Sequence, residues 1–191
     1  LFQQKIIKPQ YYMLLIFCFK KYKNKNMIHY LSNEFNNSYP KLLNDLSKKL
    51  CEDQHFSEKI QNGENPYYLC KLIRNDSINE FISYINQKNV SIDSKIDISI
   101  FETNSYLTKN KPNLIEYSAF FGSIGIFKYL YQMKAGITPS LLLYAIHGNN
   151  YDIINFIENE IELTNENYFN CYKESVKCHH NELAQYYYNK C

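Results

Sequence analysis

The chain has 191 residues and a formal net charge of +2; 45% of the residues are hydrophobic and 21% charged. That length and balance fit one globular domain or a short repeat array and exclude wholesale disorder, and so small a net charge disfavours a nucleic-acid binder with a broad basic face. Five Gly and five Pro are too few for a collagen-like or linker-dominated chain, or for an all-β fold built on many tight turns. Asn, Lys, Ile, Tyr and Phe together account for 97 residues against four Ala and one Arg, a bias that reads as codon composition rather than as function.

Charge is unevenly placed. Residues 1–26 hold six Lys and no acid, which leaves 15 basic and 19 acidic side chains for the rest. Between the Lys clusters runs Tyr11-Tyr12-Met13-Leu14-Leu15-Ile16-Phe17-Cys18-Phe19. As helix this apolar run would reach about 13 Å, under half of a ~30 Å hydrocarbon core, so no transmembrane helix is predicted. Lys20-Lys21-Tyr22-Lys23 follows where a signal peptide would carry small residues. Two readings stay open for residues 1–26. One is a non-native or gene-model extension, with Met27 as the alternative start. The other is a peripheral membrane anchor, an apolar stripe with Lys contacts to head groups.

Six cysteines stand at 18, 51, 70, 171, 178 and 191 without the spacing of a disulfide framework. They read as free thiols in a reducing compartment, and the protein is expected to be intracellular and cytoplasmic. Cys171, Cys178, His179 and His180 are the densest ligand cluster. No C-x2-C or H-x3-H pair completes it, so no metal and no cofactor is expected.

In chain order, residues 38–61 predict a helix, with Pro40 in its first turn, Leu42, Leu43, Leu46 and Leu50 at helical spacing, and Asn62-Gly63 as its end. Tyr68, Leu69, Leu72 and Ile73 form the next apolar face, broken by Asn75-Asp76. Ser77-Ile78-Asn79-Glu80 has capping-box spacing and opens a second face of Ile78, Phe81, Ile82 and Ile85, so an αα-hairpin is predicted. In residues 86–112, Ile96, Ile98 and Ile100 alternate with Asp97 and Ser99, which predicts a short extended stretch ending at Asn110-Lys111-Pro112.

The helix pair then returns. Shifting Leu114, Tyr117, Gly122, Ile126, Phe127 and Leu130 by 27 positions gives Leu141, Tyr144, Asn149, Ile153, Ile154 and Ile157. A further shift of 30 brings Cys171, Val176, His179, Leu183, Ala184 and Tyr187 to the corresponding places. The turn residue is Gly, Asn or His; Gly and Asn there have a physical reason, because a tight interhelical turn needs left-handed backbone geometry. A period near 30 with one hairpin per period predicts a solenoid.

Thr138-Pro139, Ala145, Asn149-Asn150 and Ile153-Ile154 resemble the ankyrin-repeat pattern. More specifically, NDSINEFISYI, SIFETN, LIEYSAFFGSIGIFKYL, YAIHGNNYDII and ESVKCHHNELA resemble the ankyrin-associated domain of unknown function that is expanded in anaerobic protists, over residues 66–190. The resemblance implies an all-α, ankyrin-like solenoid of stacked helix-turn-helix hairpins with a helical N-terminal region. The organisation expected is an extension over 1–26, a helical region over 27–65, and divergent repeats over 66–191, with units near 67–86, 113–132, 140–159 and 170–189. Two departures matter. The 27-residue period leaves out about six residues of the ankyrin β-hairpin finger. The last unit carries Tyr186, Tyr187 and Tyr188 where a polar cap is the rule, which fits a truncated gene or a chain that pairs at that end.

The resemblance also implies that the two positions before each turn point into a concave groove: Phe120 and Phe121, His147 and Gly148, Lys177 and Cys178. Phe120, Phe121, His147 and Lys177 are therefore the candidate partner-binding residues, one of the two Phe residues being alternatively a core side chain. The expected function is a non-catalytic protein–protein interaction module. The alternative is a membrane-associated adaptor tethered through residues 1–26, and no nucleic-acid partner is expected, because the body is acidic. His147 and Cys178 share a groove rim in adjacent units, but no feature lowers the thiol pKa and no oxyanion donor is recognisable, so an enzyme is not expected. Glu158, Glu160, Glu162 and Glu166 read as a solvated face or a docking site for a basic peptide.

Overall fold

The computed structural model describes residues 58–59, 62–99 and 101–191, and among them the regular structure is entirely helical. The expected extension over 1–26, the alternative start at Met27 and nearly all of the expected helix over 38–61 lie outside the described residues. The chain divides into two compact units, residues 1–65 with 99–104 and residues 66–98 with 105–191. In the first unit Gly63 takes a φ of 64°, and its carbonyl accepts from the backbone N–H and the hydroxyl of Thr103 at 2.9 and 2.8 Å. The buried Glu102 carboxylate accepts from the backbone N–H of Asn65 and of Asn104.

The second unit contains nine described helices: α1 (Tyr68–Arg74), α2 (Ile78–Lys88), α3 (Ser105–Asn110), α4 (Leu114–Phe120), α5 (Ile124–Gln132), α6 (Pro139–Gly148), α7 (Tyr151–Glu160), α8 (Asn165–Lys177) and α9 (Asn181–Lys190). Four hairpins result: α1–α2, α4–α5, α6–α7 and α8–α9. The first helices contact one another in the order α1, α4, α6, α8, and the second helices in the order α2, α5, α7. Tyr186 and Lys190 of α9 continue the second series by donating to Glu158 of α7 at 2.6 and 3.2 Å.

The turn between the two helices of each hairpin has one recurring geometry. Asp76, Gly122, Asn149 and His179 all sit at positive φ, between 47° and 69°. In three of the four, the next residue's N–H reaches back five residues to close a Schellman motif: Ser77 to Leu72, Ser123 to Ser118 and His180 to Ser175. Left-handed backbone suits Gly and is tolerated by Asn and Asp, which explains three of the four residue types. His179 is the costlier choice.

Helix starts are set by side chains. Asn113 and Glu116 form a capping box on α4 at 2.9 and 2.8 Å, and Thr164 and Asn167 form one on α8. Pro139 takes the first position of α6, and Asn150 accepts from the N–H groups of Asp152 and Ile153 on α7. The capping box predicted for Ser77 and Glu80 is not formed: Ser77 makes no side-chain cap, and the Glu80 carboxylate accepts from the Tyr68 hydroxyl at 3.0 Å.

Most of the predicted apolar positions are core: Leu72, Ile73, Phe81 and Ile85 are buried in the first hairpin, with Leu69, Ile78 and Ile82 partly buried against them, whereas Tyr68, expected on that face, is exposed. Leu114, Tyr117, Ile126, Phe127, Leu130, Leu141, Tyr144, Ile153, Ile154 and Ile157 are all buried, with Cys171, Leu183, Ala184 and Tyr187 in the last hairpin. Val176 departs from the pattern and is exposed. Between the first two hairpins, Ile96 is buried and its N–H bonds the Pro112 carbonyl at 2.7 Å, beside an isolated Lys95–Asn113 bridge. That extended piece is accompanied by a helix the alternation did not foretell, α3, whose Tyr106 reaches the candidate site.

Candidate functional site

The ends of the first helices bring the singled-out residues onto one line. Arg74 lies over the Phe121 ring at 5.8 Å, Phe121 meets Phe120 edge-on at 5.0 Å, and Phe120 stacks on His147 at 4.9 Å. His147 bonds Glu174 at 3.0 Å, and Glu174 pairs with Lys177 at 2.7 Å. The line therefore crosses all four hairpins. The four candidate residues are brought together, but in unequal environments. Phe120 is 9% exposed and stacks parallel to Tyr106 at 6.5 Å, so it is the buried member of the Phe pair. Phe121 is half-buried, and the side chains of His147 and Lys177 are 16% and 68% exposed.

The packing beneath is tight at one point. A Cβ on Gly148 would stand 2.4 Å from the Ala119 carbonyl oxygen and 2.9 Å from that of Phe120. Only glycine lets the end of α6 approach α4 this closely, and the approach sets His147 on the Phe120 ring.

His147 is the hub. Its ring lies 4.4 Å from that of Tyr106, its Nε2 faces Glu174 Oε1, and its Nδ1 stands 3.4 Å from the Sγ of Cys178. Burial lowers the His147 pKa, against the opposing Glu174 hydrogen bond. Burial, followed by the Glu174 charge, pushes the Cys178 thiol up to about 11, with Lys177 opposing. At neutral pH the consistent arrangement is a neutral imidazole that donates from Nε2 to the carboxylate and accepts a hydrogen bond from the thiol at Nδ1. Reactive cysteines need thiolate, with pKa values of about 3.5–7.5, so this Cys-His-Glu set holds its protons rather than presenting a nucleophile.

Glu174 is the residue that sequence reasoning missed. The shift of 30 places it on Tyr144, and the further shift of 27 places both on Tyr117, which are buried tyrosines. A carboxylate in an interior column was the available signal. His147, Glu174 and Cys178 are the described residues that could hold a metal, each offering one ligand atom within 4.8 Å of the others. The cluster weighed from the sequence is split: Cys171 is buried, with its thiol pushed up to about 12, and His179 is exposed in the turn.

The acidic run is only partly a solvated face. Glu158 accepts from Tyr186 and Lys190, and Glu160 accepts from the Tyr131 hydroxyl at 2.5 Å. Of the three consecutive tyrosines, Tyr187 is buried while Tyr186 and Tyr188 are exposed, and Phe169 and Val176 are exposed on the same hairpin. Among the described residues no helix is long and apolar enough to cross a membrane. Comparisons with protein-family models, with curated proteins and with solved structures return no match.

Proposed function

We propose that the second unit is an ankyrin-like solenoid that acts, without catalysis, by binding a partner protein along its row of first helices. The observation that carries this reading is the line from Arg74 through Phe121, Phe120 and His147 to Lys177, one continuous strip drawn from four successive hairpins. Its middle is aromatic; Arg74 stands at one end, and at the other Lys177 is ion-paired with Glu174. A half-buried aromatic, Phe121, under a partly exposed Arg74 guanidinium is the composition that interface hot spots favour. The protonated Cys178 thiol supports a binding role over a nucleophilic one. The adaptor alternative rests on residues 1–26, which lie outside the described residues, and no observation in the second unit favours it.

Site-directed photo-crosslinking tests the reading. A photoreactive residue is placed at Phe121 or Lys177 on the first-helix side, and at the exposed Lys128 of α5 or Asn155 of α7 on the second. The expected result is a discrete adduct from the first pair and none from the second. Adducts from the second-helix positions alone, or none from any position, contradict the proposal.

A further inference from the structure

We propose that His147, Glu174 and Cys178 form a binding site for a divalent cation of the zinc class. Imidazole nitrogen, thiolate sulfur and carboxylate oxygen are the donor types that zinc takes. Here one of each converges, with ligand atoms within 4.8 Å of one another. Sγ and Nδ1 are 3.4 Å apart, and Nε2 and Oε1 are 3.0 Å apart. Two donors at roughly 2.1–2.3 Å from a tetrahedral ion stand about 3.4–3.7 Å from each other, so the Cys178–His147 edge is already near its liganded length. Rotation of the Glu174 side chain from Nε2 toward that edge completes three ligands and leaves the fourth position to water.

Glu174 gives the independent reason. It is a carboxylate, 7% exposed, in a column otherwise filled by the tyrosines 117 and 144. A buried charge is costly unless it is paired. Its partners are a neutral imidazole and Lys177, whose ammonium sits on a side chain 68% exposed. An ion between the three donors would neutralise the carboxylate from within and tie α6 to the end of α8. As the metal–sulfur bond forms, the Cys178 thiol proton passes to solvent.

The test is titration of the full chain with Co2+ alone, followed by visible absorption, with Zn2+ then added as competitor. The expected result is a one-to-one complex with a thiolate-to-cobalt charge-transfer band that Zn2+ abolishes. Cys178→Ser is expected to lose the band, His147→Asn to weaken binding by about tenfold or more, and Lys177→Gln to bind at least as well as the wild type. Absence of a cobalt complex, or a band that survives in Cys178→Ser and so comes from the other five cysteines, overturns the proposal. Should the substitutions cost the helical circular dichroism signal, X-ray absorption of the zinc-loaded wild-type chain decides. One sulfur with nitrogen and oxygen donors is expected, and a shell with no sulfur, or with two or more, overturns it.

Discussion

Phe120 and Phe121 are adjacent in sequence and unlike in environment. The Phe120 ring lies between Tyr106 and His147, while Phe121 closes its helix half-buried against Tyr117 and Arg74. Phe120→Ala is therefore expected to cost about 3–5 kcal/mol and Phe121→Ala clearly less, read from denaturant unfolding of the two variants. Equal midpoints would contradict the assignment of Phe120 to the core. The Cys178 thiol, pushed up to about 11, is expected to alkylate slowly at neutral pH and faster as the pH approaches that value. Mass spectrometry of the modified peptide checks this, and labelling already fast at pH 6 would speak for an activated thiol and against a non-catalytic site. The sequence pattern placed both Phe residues before the turn. It could not divide them, because the screen over Phe120 comes from Tyr106 in a helix with no repeat signal of its own.

At the scale of elements, hairpins are bolted together through their turns. The Asp76 carboxylate accepts from the N–H groups of Gly125 and Ile126 at 2.8 Å each, so the turn of the first hairpin caps α5 of the second. Ser123, the residue at the α5 N-cap, spends its hydroxyl on the Ile73 carbonyl at 2.5 Å, and Asn150 reaches the Gly122 carbonyl at 3.2 Å. Asp76→Gly keeps the left-handed turn and removes the cap, so a loss of about 0.5–2 kcal/mol is expected, with Asp76→Asn losing less. A thermal midpoint unchanged in Asp76→Gly would show that the cap contributes nothing. Gly148→Ala drives a Cβ to 2.4 Å from the Ala119 carbonyl oxygen. It is expected to lower stability and to shift the His147 ring resonances in NMR spectra as the Phe120 stack opens; unaltered spectra would contradict the close approach. The turn residues were legible, because left-handed geometry restricts residue type. The caps were less so: Ser77 and Glu80 have the spacing of a box and do not form one, since Tyr68 takes the carboxylate.

For the molecule as a whole, the 27- and 30-residue shifts rendered the hairpins and most of the core legible, because interior columns keep apolar residues in register. They hid the polar cluster for the same reason. Val176 is exposed where the pattern expects an interior residue, and Glu174 fills a tyrosine column. The departures gather at the α6–α8 junction, where His147 and Cys178 meet. Helix α3 went unforeseen because its six residues carry no full apolar period. In repeat architectures each hairpin leans on its neighbours, so the line from Arg74 to Lys177 exists only when all four hairpins are in place. Hydrogen–deuterium exchange of the full chain, with and without its crosslinked partner, tests that claim most directly. New protection is expected at the turn-proximal ends of α4, α6 and α8 and none on α5 and α7. Protection confined to the second helices, or no change on binding, would contradict it.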